Sequence, residues 1–137
     1  MVEDISSRKN ILLVDDDKLH LHVTKTALKN KYEVFTVNSG KEALEFLNKE
    51  QIVPDLILLD ILMPEMDGWV VYEKIQNIAE LKFTPIIFYS SLDDESTIEK
   101  AYELGIFDYI TKPCDMSTLQ NRVKDILSKA ERQKLLS

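Results

Sequence analysis

The stretch DLILLDILMPEMDG, residues 55–68, carries the pattern on which the interpretation of this sequence rests. It begins with a continuous apolar run, which is typical of a strand buried on both faces of a parallel sheet. The run ends on Asp60, an isolated acid at the edge of the predicted core, where an unpaired charge is unfavourable. Pro64 and Gly68 then predict a turn, and Asp67 is interpreted as an acid at the start of the next helix.

The rest of the chain alternates between short apolar runs and segments of helical periodicity. The predicted strands cover residues 11–14, 32–37, 55–59, 86–89 and 107–111. The predicted helices cover 18–30, a segment opening at 39–40, 69–78, 95–104 and the chain after Asp115. This alternation favours an α/β fold with a doubly wound parallel sheet and helices on both faces. In such sheets, ligands bind outside the carboxyl ends of the strands.

Composition excludes several classes of protein. The 137 residues are 45% hydrophobic and 30% charged, which is typical of one globular domain. The formal net charge of −7 argues against a nucleic-acid-binding surface. A single cysteine excludes an internal disulfide and a Cys-based zinc site, and it fits a reducing compartment. Because the first ten residues are polar and no apolar stretch has the length of a membrane span, the sequence predicts a cytoplasmic protein.

Polar residues that can carry chemistry follow four of the predicted strands. They are Asp15 and Asp16 after the first strand, Asp60 after the third, Ser90 after the fourth and Lys112 after the fifth. We expect them to converge, because the carboxyl ends of parallel strands share one edge of the sheet. Three close carboxylates favour a bound cation, and Mg²⁺ fits best because it combines protein carboxylates with water and phosphate oxygens. An aspartate can itself accept a phosphoryl group as an aspartyl-phosphate.

These residues and their order resemble the receiver domain of two-component response regulators, the CheY-like superfamily. The motifs that carry the resemblance are ILLVDDD at 11–17, DLILLDILMPEMDG at 55–68, PIIFYSS at 85–91 and FDYITKP at 107–113. The resemblance covers residues 10–130, with 1–9 as a polar tail and 131–137 as an extension of the fifth helix. It implies a flavodoxin-like (βα)5 sandwich with strand order 2-1-3-4-5, and a cis peptide bond before Pro113.

The resemblance implies a metal-dependent phosphoryl acceptor. Asp60 is implied to accept the phosphoryl group and to contact Mg²⁺, with Mn²⁺ as an alternative ion. Asp16 resembles the direct metal ligand, and Asp15 the ligand that acts mainly through water. The backbone carbonyl of Leu62 resembles the third protein ligand. Asp17, the next acid after the pair, is interpreted instead as a helix N-terminal charge.

The resemblance also implies a switch. The Ser90 hydroxyl is implied to move toward the phosphoryl group, Lys112 to pair with that group, and Tyr109 to rotate after the hydroxyl. The alternative interpretation of Tyr109 is a half-exposed strand tyrosine. The face formed by the fourth helix, fifth strand and fifth helix is then implied to change shape.

The partners implied by the resemblance are proteins. The phosphoryl donor is a histidine kinase or a histidine phosphotransfer protein, and the receiver catalyses its own transfer, so the chain is a signalling switch rather than an enzyme with a separate substrate. The switch face is implied to signal to a downstream protein partner or to a fused output domain, and it is a candidate homodimer surface. No direct nucleic-acid or membrane binding is expected. The sequence leaves open whether the chain acts alone or belongs to a longer protein.

Five residues depart from common receiver patterns or stand outside the predicted core. Leu62 and Leu92 lie two residues after Asp60 and Ser90, where many receivers carry polar side chains, so we hypothesise slow autodephosphorylation. Cys114 replaces a common aromatic, either as a small hydrophobe or as a redox switch. Leu19 and Leu21 flank the core stripe of the first helix, either as a kinase-docking surface or as ordinary surface leucines.

Other readings of the same fold class fit the sequence less well. A haloacid-dehalogenase-type phosphatase would carry D-x-D followed by Thr or Val after the first strand, whereas here three aspartates run into Lys18. A flavodoxin-type flavin binder would need a Ser/Thr/Gly-rich phosphate loop at that position. A receiver-like adaptor that is never phosphorylated would be favoured by losses among the acids or the lysine, and all of these are present.

Overall fold

The computed structural model describes residues 7–49 and 52–137. The strands are β1 (Asn10–Val14), β2 (Glu33–Val37), β3 (Leu56–Leu59), β4 (Ile86–Ser90) and β5 (Asp108–Thr111). The helices are α1 (Lys18–Leu28), α2 (Gly40–Lys49), α3 (Gly68–Ile75), α4 (Glu95–Glu103) and α5 (Met116–Leu136). The strands form one parallel sheet in the order β2-β1-β3-β4-β5. The predicted doubly wound (βα)5 sandwich is therefore confirmed.

The strands place their side chains in two hydrophobic layers, because successive strand residues point to opposite faces of the sheet. Leu12 and Val14 of β1 pack in the layer that includes residues of α2, α3 and α4. Ile11 and Leu13 pack in the layer that includes residues of α1 and α5. Since both layers are buried, residues 11–14 of β1 and the whole of β3 are apolar, which explains their continuous apolar runs.

Several helix ends differ from the predicted ends by a few residues. α1 ends at Leu28 rather than at residue 30, and α3 ends at Ile75 rather than at residue 78. A short 3-10 turn, Ala79–Leu81, follows α3 and leads toward β4. Gly105 follows α4 with a φ of 100°, the left-handed conformation in which many helices end. Within the described ranges, no helix combines the length and the hydropathy needed to cross a membrane.

The orientation of α1 differs from the prediction at one residue. Leu21 is only 7% exposed and packs in the layer with α5, so the prediction that it lies outside the core stripe is wrong. The buried stripe runs through Leu21, Thr24 and Leu28, whose spacing of three and four residues places them on one face. Leu19 is 74% exposed, as predicted, and Val23 is exposed as well.

Candidate functional site

Two of the predicted acids leave the sheet side by side. Val14 pairs with Leu59 in the register of β1 and β3, so the next residue of each strand, Asp15 and Asp60, emerges at the same edge. The backbone N–H of Asp60 donates to Val14 O at 2.9 Å, which extends this pairing by one residue. Asp16 joins them, and carboxylate oxygens of all three acids lie within 4.8 Å of one another. Asp15 and Asp60 are buried, whereas Asp16 is exposed.

Lys112 brings a positive charge to these acids. It follows β5, and its backbone N–H donates to Ser90 O at 2.8 Å. Its Nζ lies 2.6 Å from Asp15 Oδ2 and 3.4 Å from Asp60 Oδ2. The peptide bond between Lys112 and Pro113 is cis, as predicted. The ammonium is therefore shared between the two buried carboxylates, and it lies closer to Asp15.

The unequal sharing of Lys112 separates the pKa values of the two buried acids. Burial alone would raise the pKa of Asp15, but hydrogen bonds from His20 and Lys112 outweigh burial and lower the pKa to about 2. Burial raises the pKa of Asp60, the charge of Lys112 opposes that shift, and the charge of Asp15 adds to it. Asp15 is thus held firmly as a carboxylate, while Asp60 is the more easily protonated of the pair.

His20 also belongs to this site, although the sequence pattern did not predict it. Its Nδ1 lies 2.9 Å from Asp15 Oδ2, and its ring packs against Tyr89 with the centroids 5.1 Å apart. Asp17 caps α1 by accepting a hydrogen bond from the His20 N–H at 3.1 Å, as expected for a helix N-terminal acid. The position of His20 in the sequence could have identified it, because the first turn of a helix that follows a strand lies beside that strand's carboxyl end.

Ser90 and Tyr109 form a buried pair beside the acids. Ser90 is fully buried at the end of β4, and its Oγ accepts a hydrogen bond from the Leu92 N–H at 3.2 Å. The Tyr109 hydroxyl donates to Leu92 O at 2.6 Å. Burial raises the pKa of Tyr109, and a hydrogen bond with Ser90 acts in the opposite direction. Since Tyr109 is only 6% exposed, its interpretation as a half-exposed strand tyrosine is wrong.

The loop between β3 and α3 packs tightly against the acids. Asp67 caps α3, because its side chain accepts a hydrogen bond from a backbone N–H of the first turn. A Cβ on Gly68 would collide with the carbonyl oxygen of Asp60 and would lie 2.7 Å from Ile61 Cα. A side chain at this position would therefore push the loop away from Asp60. The Leu62 side chain, in the same loop, is 52% exposed.

The donor set of the site suits a hard divalent cation. The three clustered acids offer only carboxylate oxygens, the ligand type that Mg²⁺, Ca²⁺ and Mn²⁺ prefer. Asp16 is exposed and Asp60 Oδ2 lies 3.4 Å from Lys112 Nζ, whereas both oxygens of Asp15 already accept closer hydrogen bonds from the chain. The arrangement is therefore consistent with direct contact of an ion by Asp16 and Asp60, with Asp15 acting through water.

Comparison with known proteins identifies the family. Residues 11–124 match the response regulator receiver domain family. The transcriptional regulatory protein CrdR of Helicobacter pylori is 39% identical over 118 residues, which are 85% of this chain and 54% of that protein. The chain spans between about a quarter and about half of the length of three curated relatives that it matches.

Solved structures give the same result. A CheY-like receiver domain protein of Methanospirillum hungatei superposes with a TM-score of 0.84 at 29% identity, covering 93% of this chain and 99% of that one. A two-component response regulator of Clostridium difficile superposes with a TM-score of 0.80 at 29% identity, covering 88% of this chain and 97% of that one. The match in sequence, in fold and in strand order agrees with the acidic edge described above. The chain therefore belongs to the response regulator receiver domain family.

Proposed function

We propose that this receiver accepts a phosphoryl group on Asp60 and changes the shape of its α4-β5-α5 face in response. The observation that carries this proposal is the position of Lys112, whose Nζ bridges Asp15 and Asp60 inside a three-carboxylate cluster. A buried acid next to an ammonium and two further acids has what aspartyl-phosphate formation needs. These are a nucleophilic oxygen, a cation for the transferred group and carboxylates for a metal ion.

Magnesium is the ion we propose for this cluster, and Mn²⁺ is the alternative. Asp16 and Asp60 would bind it directly, Asp15 through water, and the Leu62 carbonyl would be the remaining protein ligand. When bound, such an ion offsets the negative charge that the carboxylates and the phosphoryl oxygens bring together. The mutual proximity of the three carboxylates supports this assignment, because the single ammonium of Lys112 offsets only one of their three negative charges.

The proposed transfer is a displacement at phosphorus. A carboxylate oxygen of Asp60 attacks the phosphorus of a phosphohistidine, a new O–P bond forms and the N–P bond breaks. The electron pair of that bond stays on the departing imidazole, which takes a proton from solvent. Lys112, already 3.4 Å from Asp60 Oδ2, donates hydrogen bonds to the oxygens of the transferred group.

The proposed switch begins at Ser90. Its hydroxyl moves toward the phosphoryl oxygens, and this movement breaks its contacts with Leu92 and Tyr109. Tyr109, which lies on β5 and bonds to Leu92 O, then rotates and changes the surface between α4 and α5. The short hydrogen-bonded path from Ser90 through Leu92 to Tyr109 supports this order of events.

The proposed partners follow from the family. Receiver domains interact with histidine kinases and with output domains. For this chain we propose a histidine kinase or histidine phosphotransfer protein as the donor, and a downstream protein or a fused output domain as the recipient of the signal. A homodimer through the α4-β5-α5 face is part of the same proposal. Because the curated relatives are longer than this chain, their whole-protein activities do not identify its output.

Phosphorylation by a small-molecule donor tests this proposal. The protein is incubated with acetyl phosphate, and its intact mass is measured with Mg²⁺ and with excess EDTA. We expect one phosphoryl adduct on the wild type only with Mg²⁺, none on Asp60→Asn, and a normal adduct on the matched control Asp67→Asn. Asp67 lies in the same loop but caps α3. A wild type without an adduct, or an equal adduct on Asp60→Asn, would contradict the proposal and would favour a receiver-like adaptor that is never phosphorylated.

A further inference from the structure

Asp15 is held by three hydrogen bonds that use both of its oxygens. Oδ2 accepts from Lys112 Nζ at 2.6 Å and lies 2.9 Å from His20 Nδ1. Oδ1 accepts from the backbone N–H of Asp17 at 2.9 Å. The side chain of Asp15 is only 7% exposed, so water does not readily replace these donors. Two separate side chains therefore hold the same carboxylate oxygen.

The contact between His20 and Asp15 has a defined direction. Asp15 Oδ2 accepts a hydrogen bond from the Lys112 ammonium at 2.6 Å, so it is a carboxylate oxygen and can only accept from His20 as well. The hydrogen is therefore on Nδ1 of His20, whether the ring is neutral or charged. Packing of the His20 ring against Tyr89, with centroids 5.1 Å apart and planes at 52°, restricts its rotation. His20 is thus a preorganised donor to Asp15.

Lys112, the other donor to this oxygen, is shared between two acids. Its Nζ is already 3.4 Å from Asp60 Oδ2. A phosphoryl group on Asp60 adds negative charge and three strong acceptor oxygens, so it attracts the ammonium away from Asp15. Asp15 then loses its shortest hydrogen bond at the step when the site carries the most negative charge. His20 is the side-chain donor that remains.

We propose that His20 is a positioning residue that holds Asp15 in its ligand geometry when Lys112 moves to the phosphoryl group. The movement of Lys112 rests on the function proposed above, whereas the redundancy of the two donors is a property of the chain itself. Removing a partner that orients a metal-binding carboxylate typically lowers the metal affinity about 10–100-fold. His20 therefore becomes important to the metal site only when Lys112 is absent from Asp15.

A double-mutant cycle tests this redundancy without any phosphoryl transfer. The variants are His20→Phe, which keeps a ring against Tyr89 but removes the donor, Lys112→Met, and the two together. His20→Asn returns an N–H near the position of Nδ1, and His22→Phe on the exposed side of α1 is the matched control. NMR spectra record the Asp17 amide, which bonds to Asp15 Oδ1, first without metal and then along a Mg²⁺ titration.

Each outcome decides the proposal. We expect His20→Phe to raise the Mg²⁺ dissociation constant less than about threefold when Lys112 is present and about tenfold in the Lys112→Met background. Without metal, the Asp17 amide resonance should shift strongly only in the double variant. In the Lys112→Met background, His20→Asn should restore both the position of this resonance and the Mg²⁺ affinity. Equal effects in both backgrounds, or no restoration by His20→Asn, would overturn the proposal. If Asp60 is never phosphorylated, the proposed function fails but the cycle still decides the role of His20. If Mg²⁺ does not bind, the Asp17 amide decides it alone.

Discussion

Lys112 Nζ lies 2.6 Å from Asp15 Oδ2, and this is the shortest contact that either side chain makes within the described residues. The phosphoryl acceptor proposed here, Asp60, lies 3.4 Å from the same nitrogen. The ammonium of Lys112 therefore lies closer to Asp15 than to the proposed acceptor. The difference between the two distances from Lys112 Nζ predicts how Asp15 and Asp60 titrate.

The two buried acids should protonate in a defined order. We expect Asp60 to protonate first as the pH falls, above its ordinary pKa of 3.8, and Asp15 to stay ionised down to about pH 2. The lowered pKa of Asp15 contributes stability that is present above about pH 4 and is lost as the pH falls toward 2. The raised pKa of Asp60 contributes stability that is present below about pH 3.8 and is lost as the pH rises through the pKa of the folded protein. Carboxyl carbon shifts of the metal-free protein measure both values.

Removing the ammonium provides the control for this titration. In Lys112→Met, Asp15 loses a hydrogen bond and a nearby positive charge, so its pKa should rise. The pKa of Asp60 should also rise, because the charge of Lys112 opposes the effect of burial there. An unchanged Asp15 pKa in this variant would mean that the ion pair does not persist in solution.

Gly68→Ala should destabilise the protein through the loop that carries Asp60. The added Cβ would collide with backbone atoms of Asp60 and Ile61, which cannot move without displacing β3. We expect a loss of about 1–3 kcal/mol in the free energy of unfolding, measured by urea denaturation. Gly40→Ala is the matched control, because its Cβ would meet side-chain atoms of Val71 and Met66. Equal losses in the two variants would contradict the close backbone contact at Gly68.

Tyr109→Phe should weaken the connection between β5 and the segment that follows β4. The variant keeps the ring, which packs edge-on against Phe88, but removes the hydrogen bond to Leu92 O. We expect a loss of about 1 kcal/mol in the free energy of unfolding. Tyr32→Phe is the control, because the Tyr32 hydroxyl has no hydrogen bond in the part of the chain described by the structure. A smaller loss at residue 109 than at residue 32 would argue against the hydroxyl contact.

The phosphorylated protein should lose its phosphoryl group slowly. Leu62 is half-exposed in the loop that follows Asp60, and Leu92 is partly buried against the hydrophobic layer that contains Leu12 and Val14. Neither side chain can orient a water molecule for attack on phosphorus. We expect Leu62→Asn to shorten the half-life of the phosphorylated form several-fold in magnesium buffer, and Leu19→Asn, an exposed leucine on α1, to leave it unchanged. A wild-type half-life of only seconds would contradict this account.

Much of the fold could be predicted because parallel strands covered on both faces form nearly continuous apolar runs in the sequence. The runs before Asp15 and Asp60 show this requirement directly, and the acids that end them mark the edge where ligands bind. Lys112 could be predicted for the same reason, since it stands at the end of β5. Strand ends are visible in a sequence because the change from apolar to polar residues is local.

Features that depend on how one element packs on another could not be predicted. The periodicity of α1 allowed more than one buried stripe, and packing against α5 selected the stripe that contains Leu21. The contact between His20 and Asp15 depends on the rotation of that helix about its axis. Tyr109 is buried because Phe88 and the carbonyl of Leu92 meet it, and both come from another part of the chain.

The site of phosphorylation is the central claim, and chemical trapping tests it most directly. The protein is phosphorylated with acetyl phosphate and Mg²⁺, reduced with borohydride, digested and sequenced by tandem mass spectrometry. Borohydride converts an aspartyl-phosphate to homoserine. The account predicts this conversion at residue 60 alone, within the peptide that contains DLILLDILMPEMDG. Conversion at Asp15, Asp16 or Asp67, or none at all under conditions that give the adduct, would contradict it.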